Sequence, residues 1–159
     1  MVSVSQILII NVVVVIVALI LHIVGFATPG WTGNSDIHNG LWQVCARSIC
    51  RNVSIKRAGD KLRAVQAMET IALAFYIISA ALGILAVVKL GQRKKANKLM
   101  GICVLVAVIF AVIGVIIYGA YNKNYLYYSF GITIVAFIIG IAGGILALWN
   151  DRHFTEITS

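Results

Sequence analysis

From Ile7 to Ala27 the chain has only Asn11 and His22 as polar interruptions. Three more apolar blocks follow, at Thr70–Val88, Leu99–Tyr118 and Tyr128–Trp149. At about 1.5 Å of rise per residue, each block crosses about 30 Å of hydrocarbon as a helix. No other open backbone suits that medium, because lipid cannot pair a free N–H or C=O. The composition agrees, with 61% of residues hydrophobic, 11% charged and a mean hydropathy of +0.98. A soluble domain of 159 residues could not cover so much apolar surface. The expected fold is therefore an all-α membrane protein, one domain of four spans at 7–27, 64–88, 99–118 and 128–149. The opening "MVSVSQ" carries no Lys or Arg, and the apolar run after it is longer than a signal core. The first block is thus expected to remain as an uncleaved span.

Four spans put both termini on one side, together with 89–98 and the tail 150–159. The opposite side holds 28–63 and the short link 119–127. Basic residues do not orient the chain by number, with six on the first side and seven on the second. Density does. Lys89, Arg93, Lys94, Lys95 and Lys98 crowd into one short stretch without an acid, and short loops carry most of the topogenic signal. The only glycosylation sequon, Asn52-Val53-Ser54, lies in 28–63, and so do Cys45 and Cys50. A cysteine pair in a polar loop suits an oxidising compartment. The termini are therefore expected in the cytosol and 28–63 outside, with Asn52 as a candidate glycosylation site. The net charge of +8 points to anionic lipid, not nucleic acid, because the basic residues flank the spans.

The first outer segment holds the most distinctive residues. Four residues separate Cys45 from Cys50. That gap suits two short strands joined by a tight turn with the cysteines opposed. Leu41–Val44 is expected as the first strand and Ile49–Ile55 as the second, since Ile49, Val53 and Ile55 are β-branched. A disulfide here would fix register in a sheet too small to build its own core. Cys103, inside the third span, reads as a small packing residue. Trp31 and Trp149 sit at span ends, where aromatic residues collect at the interface. Trp42 lies far from any span and needs a packing partner, for which the disulfide is the candidate.

Trp31, then Gly40-Leu41-Trp42, then Cys45 and Cys50, form a pattern that resembles the signature of the claudin superfamily. That superfamily includes claudins, the peripheral myelin and epithelial membrane proteins, and the channel-associated gamma subunits. "LRAVQAM" (Leu62 to Met68) is similar to the family's approach to its second span. "YYSFGITIVAF" (Tyr127 to Phe137) is similar to the start of the fourth span in the myelin and epithelial members. Span order and length match over the whole chain. The resemblance implies a left-handed four-helix bundle carrying a small extracellular antiparallel sheet, anchored on the helices by the matching tryptophan and cysteines. The chain resembles an invertebrate-like, short-loop member. Its second outer segment lacks the long extension of typical claudins. Glu69 stands where claudins commonly carry an arginine. The final residue is Ser159 in place of a terminal Val.

Several residues admit two readings. Ala136, Gly140 and Gly144 form a small-residue stripe, either a dimer face or, as expected, close packing within the bundle. Glu69 and His22 are either functional intramembrane groups or, as expected, residues at the outer interface. Asn11 is a candidate for a bond between helices. The outer segment carries six basic residues against Asp36 and Asp60, a balance of +4 that would favour anions along a passage between cells or, as expected, marks a solvated face or one that meets acidic glycans.

The sequence offers no paired carboxylates, metal cluster, phosphate loop or nucleophile–base arrangement, and Cys45 and Cys50 lack redox spacing. No catalytic, cofactor-binding or metal-binding residue is expected, and no enzyme. The expected role is structural, in adhesion or as a tight-junction barrier at the plasma membrane and its cell junctions. The partners are the bilayer and other copies of the chain, laterally or across cell contacts. The alternative is an accessory subunit of another membrane protein, such as a channel or receptor.

Overall fold

Each helix buries one narrow stripe. The computed structural model describes residues 4–34, 36–47, 49–53, 58–88, 93–122 and 126–156. Its four helices are α1 (Val4–Ala27), α2 (Asp60–Val88), α3 (Arg93–Tyr121) and α4 (Tyr128–Glu156). The buried positions of α1 include Asn11, Val15, Ala18, His22 and Gly25, and those of α2 include Val65, Glu69, Ala72, Tyr76, Ser79, Gly83 and Ala86. The buried positions of α3 include Asn97, Met100, Val104, Ala107, Ala111, Gly114 and Tyr118, and those of α4 include Ser129, Thr133, Ala136, Gly140, Gly143 and Ala147. Steps alternating between three and four give a 3.5-residue period, the pattern that winds helices left-handed about one another.

The stripes mix apolar residues with many small and polar ones. Lipid is as apolar as Leu, so burial of large side chains brings helices together less than close approach and interhelical bonds do. Many large aliphatics face outward, among them Ile9, Val13, Val17, Ile20 and Val24 on α1. All four helices are long and apolar enough to cross a membrane.

The helices outrun the apolar blocks. Residues 93–98 form the first turns of α3, so Arg93, Lys94, Lys95 and Lys98 are helical and not loop; Lys89 lies outside the described residues. Likewise 60–63 belong to α2, 119–121 to α3 and 150–156 to α4. A helix ends where its backbone pairing ends, and water can solvate the polar side chains of further turns.

Polar ties cross the half of the bundle farther from the sheet. Asn11, with its amide turned to satisfy both ends, donates to the Gly143 carbonyl at 2.9 Å and accepts from the Ala147 N–H at 3.2 Å. Asn97 donates to the Ala147 carbonyl and Ser79 to the Met100 carbonyl, both at 2.9 Å. The small-residue stripe of α4 faces inward too. A Cβ at Gly140 would stand 2.6 Å from the Tyr76 hydroxyl, and one at Gly144 2.6 Å from Leu105.

Between α1 and α2 the chain forms a four-stranded antiparallel sheet in sequential order, β1 (Thr32–Gly33), β2 (Ile37–Asn39), β3 (Gln43–Ala46) and β4 (Ile49–Asn52). The first expected strand is thus displaced, since Leu41 and Trp42 bend before β3 starts. The second ends at Asn52, and Ile55 lies outside the described residues. Gly40 explains the displacement. Its N–H donates to the Gln43 carbonyl at 2.7 Å, closing a turn that uses Leu41 and Trp42 as its corner.

Candidate functional site

The sheet is bolted to the bundle by the signature residues. Trp31 is fully buried. Its backbone N–H donates to Asn39 at 3.0 Å, and its indole Nε1 donates to the Gly25 carbonyl at 2.7 Å. Gly25 lies in the last turn of α1, where carbonyls have no intrahelical partner. The indole meets Tyr118 of α3 edge-on at 4.8 Å between centroids and Phe130 of α4 at 5.9 Å. Trp31 is therefore a keystone among three helices, not an interfacial anchor. Trp149, 61% exposed at the end of the apolar part of α4, suits the interface.

Leu41 is also fully buried, and its carbonyl accepts from Gln66 of α2 at 2.6 Å. Gly40 is tightly placed, because a Cβ there would lie 2.5 Å from Pro29 Cα and 2.9 Å from the Thr28 carbonyl oxygen. Trp42 meets Phe26 of α1 edge-on at 5.2 Å. Its aromatic partner is a helix residue, where the sequence had pointed to the disulfide. Gly40, Leu41 and Trp42 thus tie the start of β3 to α1 and α2.

Cys45 and Cys50 are opposed in register and joined by a disulfide. Cys45 is buried and Cys50 exposed. Arg47 begins the turn between β3 and β4 with φ 53°, the left-handed region that two-residue hairpin turns require. Asn52 is exposed at the end of β4, and Ser54 of its sequon lies outside the described residues. The link between α3 and α4 joins the sheet. Leu126 bridges to Thr32, and Tyr127 donates to the Trp31 carbonyl at 3.0 Å and stacks on His38 at 5.1 Å.

Two residues read as interfacial are packed among the helices. His22 and Glu69 are both fully buried, with His22 Nε2 3.7 Å from Glu69 Oε2 and 3.3 Å from the Glu69 carbonyl oxygen. The His22 ring packs on Tyr76 at 5.0 Å. Gly114 makes room on α3, since a Cβ there would collide with the Glu69 carboxyl. The depth follows from α2 starting at Asp60, which places Glu69 more than two turns inside the helix. The seven-residue stripe was the available signal, because Asn11, Ala18, His22 and Gly25 recur on one face.

Comparison with known families matches residues 3–148 to the model of the PMP-22/EMP/MP20/Claudin family. The chain belongs to that family, as a four-span membrane protein with a small antiparallel sheet. A search of curated proteins finds no significant match.

Proposed function

We propose that this chain is a structural protein of the plasma membrane, acting at cell contacts by lateral assembly and contacts of its outer sheet. The spans, the cytosolic termini with the basic residues 89–98, and the outer placement of 28–63 belong to this reading. One observation carries it. Ile37, Ala46 and Ile49 are directly opposed across β2, β3 and β4, so they form one apolar row at the turn end of the hairpin. Ile37 is 44% exposed and Ile49 64%. The row borders β4, a sheet edge whose four residues are all exposed. Apolar residues beside an open strand edge are what natural sheets avoid unless the surface meets a partner. A sheet held by Trp31 and Leu41 would present that row rigidly.

The test is aggregation of suspended, non-adherent cells expressing the protein. The expected result is aggregation that Ile37→Asn/Ile49→Asn removes while surface expression is retained. No aggregation by the wild-type chain would overturn the adhesive reading. A second reading, an accessory subunit of a channel or receptor, is favoured by the second outer segment lying folded on the sheet through Leu126 and Tyr127. Co-purification of one membrane partner at fixed stoichiometry would support it.

A further inference from the structure

Beneath the sheet, between the outer ends of α2 and α3, lies a cleft of about 300 Å³. Among its lining residues Val65 and Tyr118 are buried, whereas Lys61 and Tyr121 are exposed. The first two therefore form the floor and the last two the mouth. Leu62 and Val44 add apolar walls from the helix and the sheet. The one hydroxyl pair at the floor is already satisfied, Thr32 Oγ1 lying 3.1 Å from the Tyr118 hydroxyl. The floor thus offers an incoming group apolar contact before polar contact.

The mouth is different. Lys61 Nζ stands 4.9 Å from the Tyr121 ring centroid, which holds the ammonium at the rim. The neighbouring carboxylate of Asp60 is taken by Arg63 at 3.3 Å. Among the described residues no carboxylate forms an ion pair with Lys61. At about 1.5 Å per residue, α2 with its 29 residues exceeds about 30 Å of hydrocarbon by more than two turns. The start of α2 and the end of α3 therefore reach headgroup level, where lipid is the most concentrated amphiphile.

We propose that this cleft binds a single-chain anionic lipid, with its phosphate or carboxylate on Lys61 and the upper part of its acyl chain over Leu62, Val44 and Val65. The volume fits one chain and not two, being at the lower end of the range for small-molecule sites. Among the described lining residues Lys61 is the one cation, and it selects an anionic head over a zwitterionic one. This inference is independent of the adhesive reading, since it concerns the helix side of the sheet and not the row at its tip.

The test uses the purified full chain in dodecyl maltoside micelles, followed by thermal unfolding. The probes are lysophosphatidic acid, lysophosphatidylcholine of the same chain length, and inorganic phosphate. The expected result is saturable stabilisation by lysophosphatidic acid, at a half-saturating concentration at least tenfold below that of lysophosphatidylcholine. Phosphate alone should have no effect. Lys61→Ala, at an exposed position, should abolish the tenfold preference, and Lys61→Arg should restore it. Leu62→Trp should raise the half-saturating concentration by filling the cleft; Tyr121→Ala should do the same and serves if that variant does not fold. Equal response to both lipids, a preference retained in Lys61→Ala, or full stabilisation by phosphate alone would each overturn the proposal. So would lipid-independent dimerisation lost in Leu62→Trp, which would assign the cleft to a second copy.

Discussion

Removing the Trp31 side chain separates a keystone from an interfacial anchor. Truncating a fully buried large aromatic costs about 3–5 kcal/mol through lost packing and the cavity left behind. Trp31→Ala is therefore expected to fall in that range, because the indole is closed in by Tyr118 and Phe130. Trp31→Phe keeps most of the ring contact and removes only the bond to the Gly25 carbonyl, present at 2.7 Å. Leaving that carbonyl without its partner costs about 1–3 kcal/mol. The assay is unfolding of the purified protein by dodecyl sulfate in mixed micelles, read by near-ultraviolet circular dichroism. The two variants should separate, with the alanine form clearly the weaker. An indole at the membrane surface would lose little in either variant. A loss below about 1 kcal/mol for Trp31→Ala would refute the burial argument.

Other outcomes follow from the same geometry. Cys45→Ser/Cys50→Ser opens a loop with a sequence separation of 5 and should cost about 2 kcal/mol; hydrogen exchange should rise in β3 and β4 and stay low in the helices. Gly114→Ala places a methyl on the Glu69 carboxyl and should cost about 1–3 kcal/mol. Adding Glu69→Ala should reduce that increment, a coupling that a double-mutant cycle measures. Gly140→Ala should destabilise the monomer through the Tyr76 hydroxyl and Val108 without changing oligomeric state, as cross-linking would show. In glycosylating cells, Asn52→Gln should remove one glycosidase-sensitive mobility shift; its absence from the wild-type protein would count against glycosylation at this site.

The spans were legible because lipid demands long uninterrupted apolar runs, and such runs survive any uncertainty about neighbours. The β3–β4 hairpin was legible because two cysteines at hairpin spacing stood among β-branched residues. β1 and β2 were not. Thr32–Gly33 and Ile37–Asn39 are too short to show alternation, and they exist because Asn34 closes their turn. Its side-chain oxygen accepts from the Asp36 and Ile37 N–H groups at 3.0 and 2.9 Å.

The depth of Trp31 was hidden for another reason. A tryptophan after a span looks the same in sequence whether it faces lipid or turns inward. What turns it inward is the Gly25 carbonyl at the end of α1 and the close approach at Gly30. A Cβ at Gly30 would stand 2.7 Å from Ser129 Oγ. His22 and Glu69 were missed together because a lone polar residue near a span end looks the same in sequence whether it faces the interface or a neighbouring helix. Both lie on inward faces, where each fills the other's side of the α1–α2 contact.

The central claim is that the anchored sheet assembles copies of this chain at cell contacts. The most direct measurement is freeze-fracture imaging of the protein expressed in cells without junctions, beside a Cys45→Ala/Cys50→Ala control. The account predicts continuous intramembrane strands at contacts between expressing cells, lost in the control. An even surface distribution without strands would contradict it.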